Sequence, residues 1–190
     1  YTSADASSFR DFLTKRGLTT SSIARIFGTV KAVINLSIQE NGLDCSNAFA
    51  NIYLPKKVVS KRLPIPNEEI INIQNVCLKA ADERRILVAL ISDTGMRLSE
   101  AAGLVWGDVV IDHQFPHINL VPHPWRPLKT SGSKRVVPLI GVSLQAIELM
   151  HQQSHCTQFL FPSYTNEEKC NGNSASAALN KWIKAYTKHG

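Results

Sequence analysis

The 190-residue sequence contains no apolar run that approaches the roughly 18 residues needed to span a bilayer. It does not open on a basic segment followed by an apolar stretch, so no secretory leader is expected. Four cysteines (Cys45, Cys77, Cys156 and Cys170) lie far apart, which excludes a dense disulfide framework and fits reduced thiols in a cytoplasmic protein. His151, His155, Cys156 and Cys170 follow no common zinc spacing, and no metal is expected. There is no internal repeat and no low-complexity segment. Acidic residues are missing altogether from residues 54–66 and from residues 113–147.

Those two gaps organise the charge. The chain carries a net +6 with a pI near 9.3. Residues 54–66 and 113–147 hold +4 each, while residues 67–112 hold −4. Charge separated in this way suits basic surfaces that face a polyanion, most often nucleic acid; plain solubility is the alternative. A hydrophobic fraction of 44% and a charged fraction of 19% describe a globular chain, long enough for one domain or two small ones.

Residues 1–54 read as a small helical domain. "SSFRDFLTKRGL" sets Phe9, Phe12 and Leu13 on one side and stops at Gly17. "TTSSIARIFGTVKAVINLSIQENG" opens on hydroxyl residues and carries Ile23, Ile26, Phe27, Val30, Val33, Ile34 and Ile38 at helical spacing. Thr20 and Ser22 could bind phosphate at that helix start, with Arg25 and Lys31 further along. Capping and a solvated face explain the same residues equally well.

Residues 55–66, "PKKVVSKRLPIP", read as a linker, because three prolines disfavour helix. Lys56, Lys57, Lys61 and Arg62 make it either an exposed soluble strap or one that lies along a phosphate backbone. From 67 to 190 the spacing predicts a second, larger domain. A helix capped by Asn67 buries Ile70, Ile73, Cys77 and Ala80 on one face. "RRILVALISDTG" is apolar nearly all round and reads as a central helix, and a third runs from about Leu98 to Val105. "HINLV", "RPLKT" and "KRVVPLI" then read as a small antiparallel sheet with a hairpin at Ser131-Gly132-Ser133. Helices return at Ser143–His151 and Ser174–Tyr186. The expected fold is α+β and mainly helical.

The chemistry concentrates at Arg97. It follows the Thr94-Gly95 turn at a helix start, and its planar fork matches phosphate oxygens. Glu100 shares its helix face and could orient the guanidinium; a plain surface ion pair is the alternative reading. Downstream, Lys129 lies in "LKTSGSKRVVPL", within the basic stretch that also holds Arg126, Lys134 and Arg135. Arg126, Lys134 and Arg135 are candidate DNA contacts. Trp106 reads as core.

"TGMRLSEAAGLVWGDV" resembles the first box of the tyrosine recombinase, or phage integrase, family. That box runs Thr-Gly-x-Arg, then Glu, then Leu-x-Trp-x-Asp, matched by Thr94, Gly95, Arg97, Glu100, Leu104, Trp106 and Asp108. "LKTSGSKRVVPL" resembles the family's β-hairpin, and the N-terminal helices with "KRLPIP" resemble its core-binding domain and linker. The resemblance implies that residues 67–190 are part of a catalytic domain. It implies Arg97 as the first catalytic arginine, Lys129 as the hairpin lysine with Lys134 as runner-up, and Glu100 as the supporting acid.

It further implies metal-free and cofactor-free breakage and rejoining of duplex DNA through a 3′-phosphotyrosine. The setting would be the nucleoid of a bacterium or phage host, in service of a mobile element, with a homotetramer as the synaptic form and no membrane. The family's His-x-x-Arg and the following tyrosine are not found after Lys129. Ser154 and Gln158 stand where His151 and His155 would need an arginine, Tyr164 reads as a loop residue, and Tyr186 lies on an apolar stripe. The chain is therefore expected to be a fragment that does not cleave DNA as written. The alternatives are a non-catalytic DNA-binding protein on the same scaffold, or an unrelated basic helical adaptor.

Overall fold

The computed structural model describes residues 1–55, 63–153 and 157–188. The chain divides into two compact units, Tyr1–Lys61 and Arg62–Gly190, and the division falls inside the proline-containing stretch. The basic residues Lys56, Lys57, Lys61 and Arg62 lie outside the described residues.

The first unit is built on α1 (Ser3–Lys15) and α2 (Thr20–Glu40). Thr2 and Asp5 form a reciprocal capping box at the start of α1, and Gly17 at φ +75° ends the turn that follows it. Thr19, not Thr20, caps α2: its hydroxyl accepts the Ser22 backbone N–H at 3.3 Å. The core is Ala6, Leu13, Ile23, Phe27 and Phe49, with Phe9 stacked on Phe27 at 5.7 Å. Phe12, expected on this face, is exposed with the Arg16 guanidinium over its ring. Phe9 and Leu13 are four apart and share the core face; Phe12 lies about 100° round the helix from Leu13. Val33 is likewise exposed.

The second unit comprises α3 (Asn67–Ala80), α4 (Glu83–Thr94), α5 (Leu98–Ala102), α6 (Gly141–His151) and α7 (Gly172–Ile183), with one small sheet between α5 and α6 in the chain. Asn67 does not cap α3: Pro66 holds the cap position, and no side chain bonds there. Ala80, expected on the buried face, is exposed. Central α4 buries every residue from Ile86 to Leu90 except for a trace of Val88, and packs against α3 and α6. This matches its all-round apolar sequence.

α5 stops at Ala102 rather than running to Val105. Leu104–Trp106 instead pairs with a returning segment: Leu160 N–H donates to the Leu104 carbonyl at 3.0 Å, and Trp106 N–H to that of Gln158 at 2.9 Å. Gly103, just past α5, makes room for Arg126: a Cβ there would sit 2.5 Å from the Arg126 side chain.

The sheet is antiparallel in the order β1-β2-β3: β1 (Val109–Val110), β2 (His117–Leu120) and β3 (Arg135–Pro138). Ile118 lies opposite Val109 and Val137, and Ile118, Leu120 and Val137 point into the core. Two sequence expectations fail here. "RPLKT" is not a strand, and Ser131–Ser133 is a 3-10 turn inside a long excursion (121–134) rather than the tip of a tight hairpin. Pro122, Pro124 and Pro127 remove backbone donors from the excursion, so it cannot join the ladder. β1, only two residues long, shows no alternation to read.

Candidate active site

The turn that delivers Arg97 is fixed from below. Thr94 Oγ1 donates to the Leu90 carbonyl at 2.6 Å, Gly95 adopts φ +60°, and Met96 plugs into the core. Arg97 takes the N-cap position of α5 in an extended conformation. α5 is little more than one turn, so its dipole offers an anion less than the sequence suggested. The Arg97 backbone N–H is also already committed, at 3.1 Å, to Glu100 Oε2.

Glu100 is the centre of the site. It is only 3% exposed. Its Oε1 accepts from Arg97 Nη1 at 2.6 Å, and its Oε2 accepts from the Arg97 backbone and from Arg135 Nη2 at 3.0 Å. Burial alone would push this carboxyl up, but the hydrogen bonds from Arg135 and then from Arg97 outweigh it and hold it below its ordinary value. Both cations keep part of their surface in water, Arg97 at 53% and Arg135 at 37% of the side chain. The supposed surface ion pair is thus a buried carboxylate that orients two guanidinium groups.

The 129–134 loop closes the arrangement. Arg97 Nη1 also donates to Ser133 Oγ at 3.3 Å, Ser133 and Thr130 share a hydroxyl hydrogen bond at 3.0 Å, and Arg135 Nη1 donates to the Ser133 carbonyl at 2.9 Å. Gly95, Arg97, Thr130, Gly132, Ser133 and Arg135 line an open depression of about 320 Å³. Lys129 is exposed and directly precedes lining residue Thr130 without itself lining the depression. Lys134 is exposed between Ser133 and Arg135.

Arg126 is a correction. Read from sequence as a DNA contact, it is the largest fully buried side chain, so a phosphate cannot reach it. Its Nη2 donates to Asp108 Oδ2 at 3.2 Å and its Nε to the Gly103 carbonyl at 3.2 Å, while Nη1 is buried with no hydrogen-bond partner among the described residues. Burial draws its pKa below the usual arginine value and Asp108 opposes this. Asp108 also accepts the Val105 N–H at 3.3 Å and lies 2.9 Å from His123 Nε2; the His123 ring stacks on Trp125 at 4.6 Å. This hub escaped the sequence reading. Asp108, His123 and Arg126 are separated by 15 and 18 residues, and no periodicity links them.

In the first unit, Ser22 Oγ is paired with Thr19 Oγ1 at 3.0 Å, and Lys31 Nζ donates to the Ala50 carbonyl at 3.0 Å. Arg25 is exposed and Thr20 half-buried. These four lie together on α2 of the first unit. Trp106 packs partly buried beside His151, ring centroids 5.4 Å apart. Tyr164 is buried in a turn, and Tyr186 packs on Trp182 at 4.8 Å. Burial pushes the Cys77 thiol up to about 12, which makes it a core residue rather than a nucleophile. Among the described residues no group of three or more His, Cys, Asp or Glu could hold a metal, and no helix is long and apolar enough to cross a membrane.

The fold, mainly helical α+β with a small three-stranded antiparallel sheet, is that of the integrases. The whole chain superposes on Tn1549 transposon integrase in complex with circular intermediate DNA (TM-score 0.73, 16% identity, 67% of that chain covered). It superposes likewise on a lambda integrase dimer bound to a COC′ core site (TM-score 0.66, 16% identity, 65% covered). A lambda integrase tetramer bound to a Holliday junction also matches (TM-score 0.67, 14% identity, 55% covered). This chain thus spans about two thirds or less of the length of those proteins, and at such identities the likeness is one of fold. The chain belongs to the phage integrase family, whose sequence profile matches residues 65–189, and is a tyrosine recombinase family member. No curated protein matches the sequence.

Proposed function

We propose that the chain is the DNA-binding and partial catalytic portion of a site-specific DNA recombinase. The observation that carries this reading is the buried Glu100 carboxylate, which holds Arg97 and Arg135 at one open cationic depression. Partly hydrated cations avoid much of their desolvation cost, so the arrangement is stable with the charge still accessible. A carboxylate that aims a guanidinium at an incoming phosphate needs that exposure. The nearby structures of integrases bound to DNA support the same ligand class.

In this reading a tyrosine hydroxyl, supplied from outside these 190 residues, attacks the scissile phosphate. Its Oη–P bond forms as the P–O5′ bond breaks, and the phosphodiester energy is kept in a 3′-phosphotyrosine without any cofactor. Arg97 binds the non-bridging oxygens as their charge grows. Lys129 gives a proton to the departing 5′ oxygen, a general-acid role. Glu100 holds Arg97. Tyr1–Lys61 serves as the core-binding unit and contributes Thr20, Ser22, Arg25 and Lys31 as backbone contacts that position DNA without reading sequence. Lys56, Lys57, Lys61, Arg62 and Lys134 add electrostatic contacts. The complete protein works as a tetramer on duplex DNA in the cytoplasm.

A second reading, a non-catalytic DNA-binding protein on this scaffold, draws on one observation: between Lys129 and residue 190 there is no His-x-x-Arg. Two experiments separate the readings. The 190-residue chain should bind duplex DNA with an affinity that falls steeply with salt, as phosphate neutralisation requires; salt-insensitive binding removes both. In the complete recombinase on nicked suicide DNA, Arg97→Ala should abolish the covalent protein–DNA adduct. A normal adduct yield from that variant refutes the arginine's role, and absence of any adduct from the unmodified protein favours the second reading.

A further inference from the structure

Resting on the reading above, we infer that Arg135 is a positioning residue: through Glu100 it registers the lysine-bearing loop against Arg97. Its two terminal nitrogens face different partners. Nη2 donates to Glu100 Oε2 at 3.0 Å, and Nη1 donates to the Ser133 carbonyl at 2.9 Å. The guanidinium therefore ties the C-terminal end of the loop to α5 across a sequence separation of 35 residues. From Ser133 the chain of bonds continues. Its hydroxyl meets both Arg97 Nη1 (3.3 Å) and Thr130 Oγ1 (3.0 Å), and its N–H donates to the Thr130 carbonyl at 3.0 Å. Lys129 is covalently next to Thr130, so the backbone that carries it goes where Thr130 is held.

Glu100 divides its load unevenly, and this makes the roles separable. Arg97 keeps Oε1 to itself and also holds Oε2 through its backbone, whereas Arg135 uses Oε2 only. Loss of Arg135 leaves Arg97 with both of its own bonds to Glu100 but removes the loop's tie to that carboxylate, leaving the loop the longer Arg97–Ser133 bond at 3.3 Å. The damage should fall on the lysine's proton transfer and spare the arginine's grip on phosphate. Lysine at 135 should not substitute, because one ammonium cannot reproduce the planar fork that meets carboxylate and carbonyl together. Arg135 thus has a role beyond the phosphate contact its position in a basic stretch suggests.

Two measurements test this. On the 190-residue chain, Arg135→Ala should speed amide hydrogen exchange about tenfold or more at residues 132–134, the scale of one lost charge-assisted hydrogen bond, with α4 protection unchanged. Unchanged exchange in the loop, or protection lost throughout the second unit, overturns the inference. The second uses the complete recombinase and a nicked DNA whose bridging 5′ oxygen at the scissile phosphate is replaced by sulfur, since a thiolate leaves without a proton. Arg135→Ala and Lys129→Ala should cleave ordinary DNA about tenfold or more slowly and return to the unmodified rate on the sulfur substrate. Arg97→Ala should stay impaired on both. Arg135→Lys should behave as Arg135→Ala. An Arg135→Ala variant equally impaired on both substrates, or unimpaired on ordinary DNA, refutes the positioning role. Normal cleavage by Arg97→Ala or Lys129→Ala would instead sink the underlying assignment, whatever Arg135 does.

Discussion

Glu100 and Asp108 lie eight positions apart, are equally buried at 3% exposure, and each serves two basic side chains. Around Asp108 the arrangement is closed: Arg126 is 1% and His123 18% exposed, and the Arg126 aliphatic stem fills the space a Gly103 side chain would need. Around Glu100 it is open, with the Arg97 and Arg135 side chains partly in solvent beside the depression they line. The same device serves two ends. The closed hub fixes the 121–134 excursion to the end of α5, while the open one presents charge. Burial of the partner, rather than of the carboxylate, separates a structural ion pair from a candidate functional one.

This contrast can be broken most easily at the closed hub. Asp108→Ala strands the Arg126 cation in the core and should cost about 3–5 kcal/mol, read as a fall in urea midpoint at constant slope. If Asp108→Ala costs no more than Glu100→Ala, the distinction between the hubs is wrong. Gly103→Ala pushes a methyl to 2.5 Å from the Arg126 stem and should cost about 1–3 kcal/mol by overpacking. A neutral result would show that the Arg126 stem moves freely.

Glu100→Gln should cost less, about 1–2 kcal/mol, because Arg97 and Arg135 can turn to water. Its effect should also depend on pH. The folded-state pKa of Glu100 is depressed, so its contribution is full above the ordinary glutamate value and is lost as pH falls through the depressed one. The stability gap between unmodified protein and Glu100→Gln should therefore narrow from pH 7 to pH 3; a gap that widens on acidification contradicts the assignment. Arg97→Ala should cost about 1 kcal/mol, because Arg135 and the backbone N–H at 97 still serve Glu100, and should lower the salt slope of DNA binding by about one phosphate contact. A stability loss of Asp108 size would make Arg97 a scaffold residue after all.

What could be read from the sequence was local. The Thr94–Arg97 turn, the Glu100 partner three residues on, the apolar α4 and the amphipathic α7 all express short-range rules. Reading failed where distant residues decide. Arg126 looked like one more cation in an acid-free stretch, because Asp108 stands 18 residues before it. Arg135 gave no sign of sharing Glu100, 35 residues away. α5 looked longer because Leu104 and Val105 suit a helix, and only the bonding of Leu104 and Trp106 to residues 158–160 draws them out of it. The hairpin was misplaced because β-branched residues mark β3 correctly while prolines silently exclude "RPLKT".

The excursion has a consequence for the order in which the molecule assembles. The Arg126–Asp108 bond closes a segment of 18 residues, whereas the Arg97–Ser133 bond closes one of 36. Doubling a loop costs roughly 0.6 kcal/mol more in closure entropy. Once the shorter loop is closed, most of the longer one is already gathered, and Ser133 and Arg135 search only a small volume before meeting Arg97 and Glu100. The buried hub is in this sense a splint: once it is closed, closing the cationic site costs less entropy.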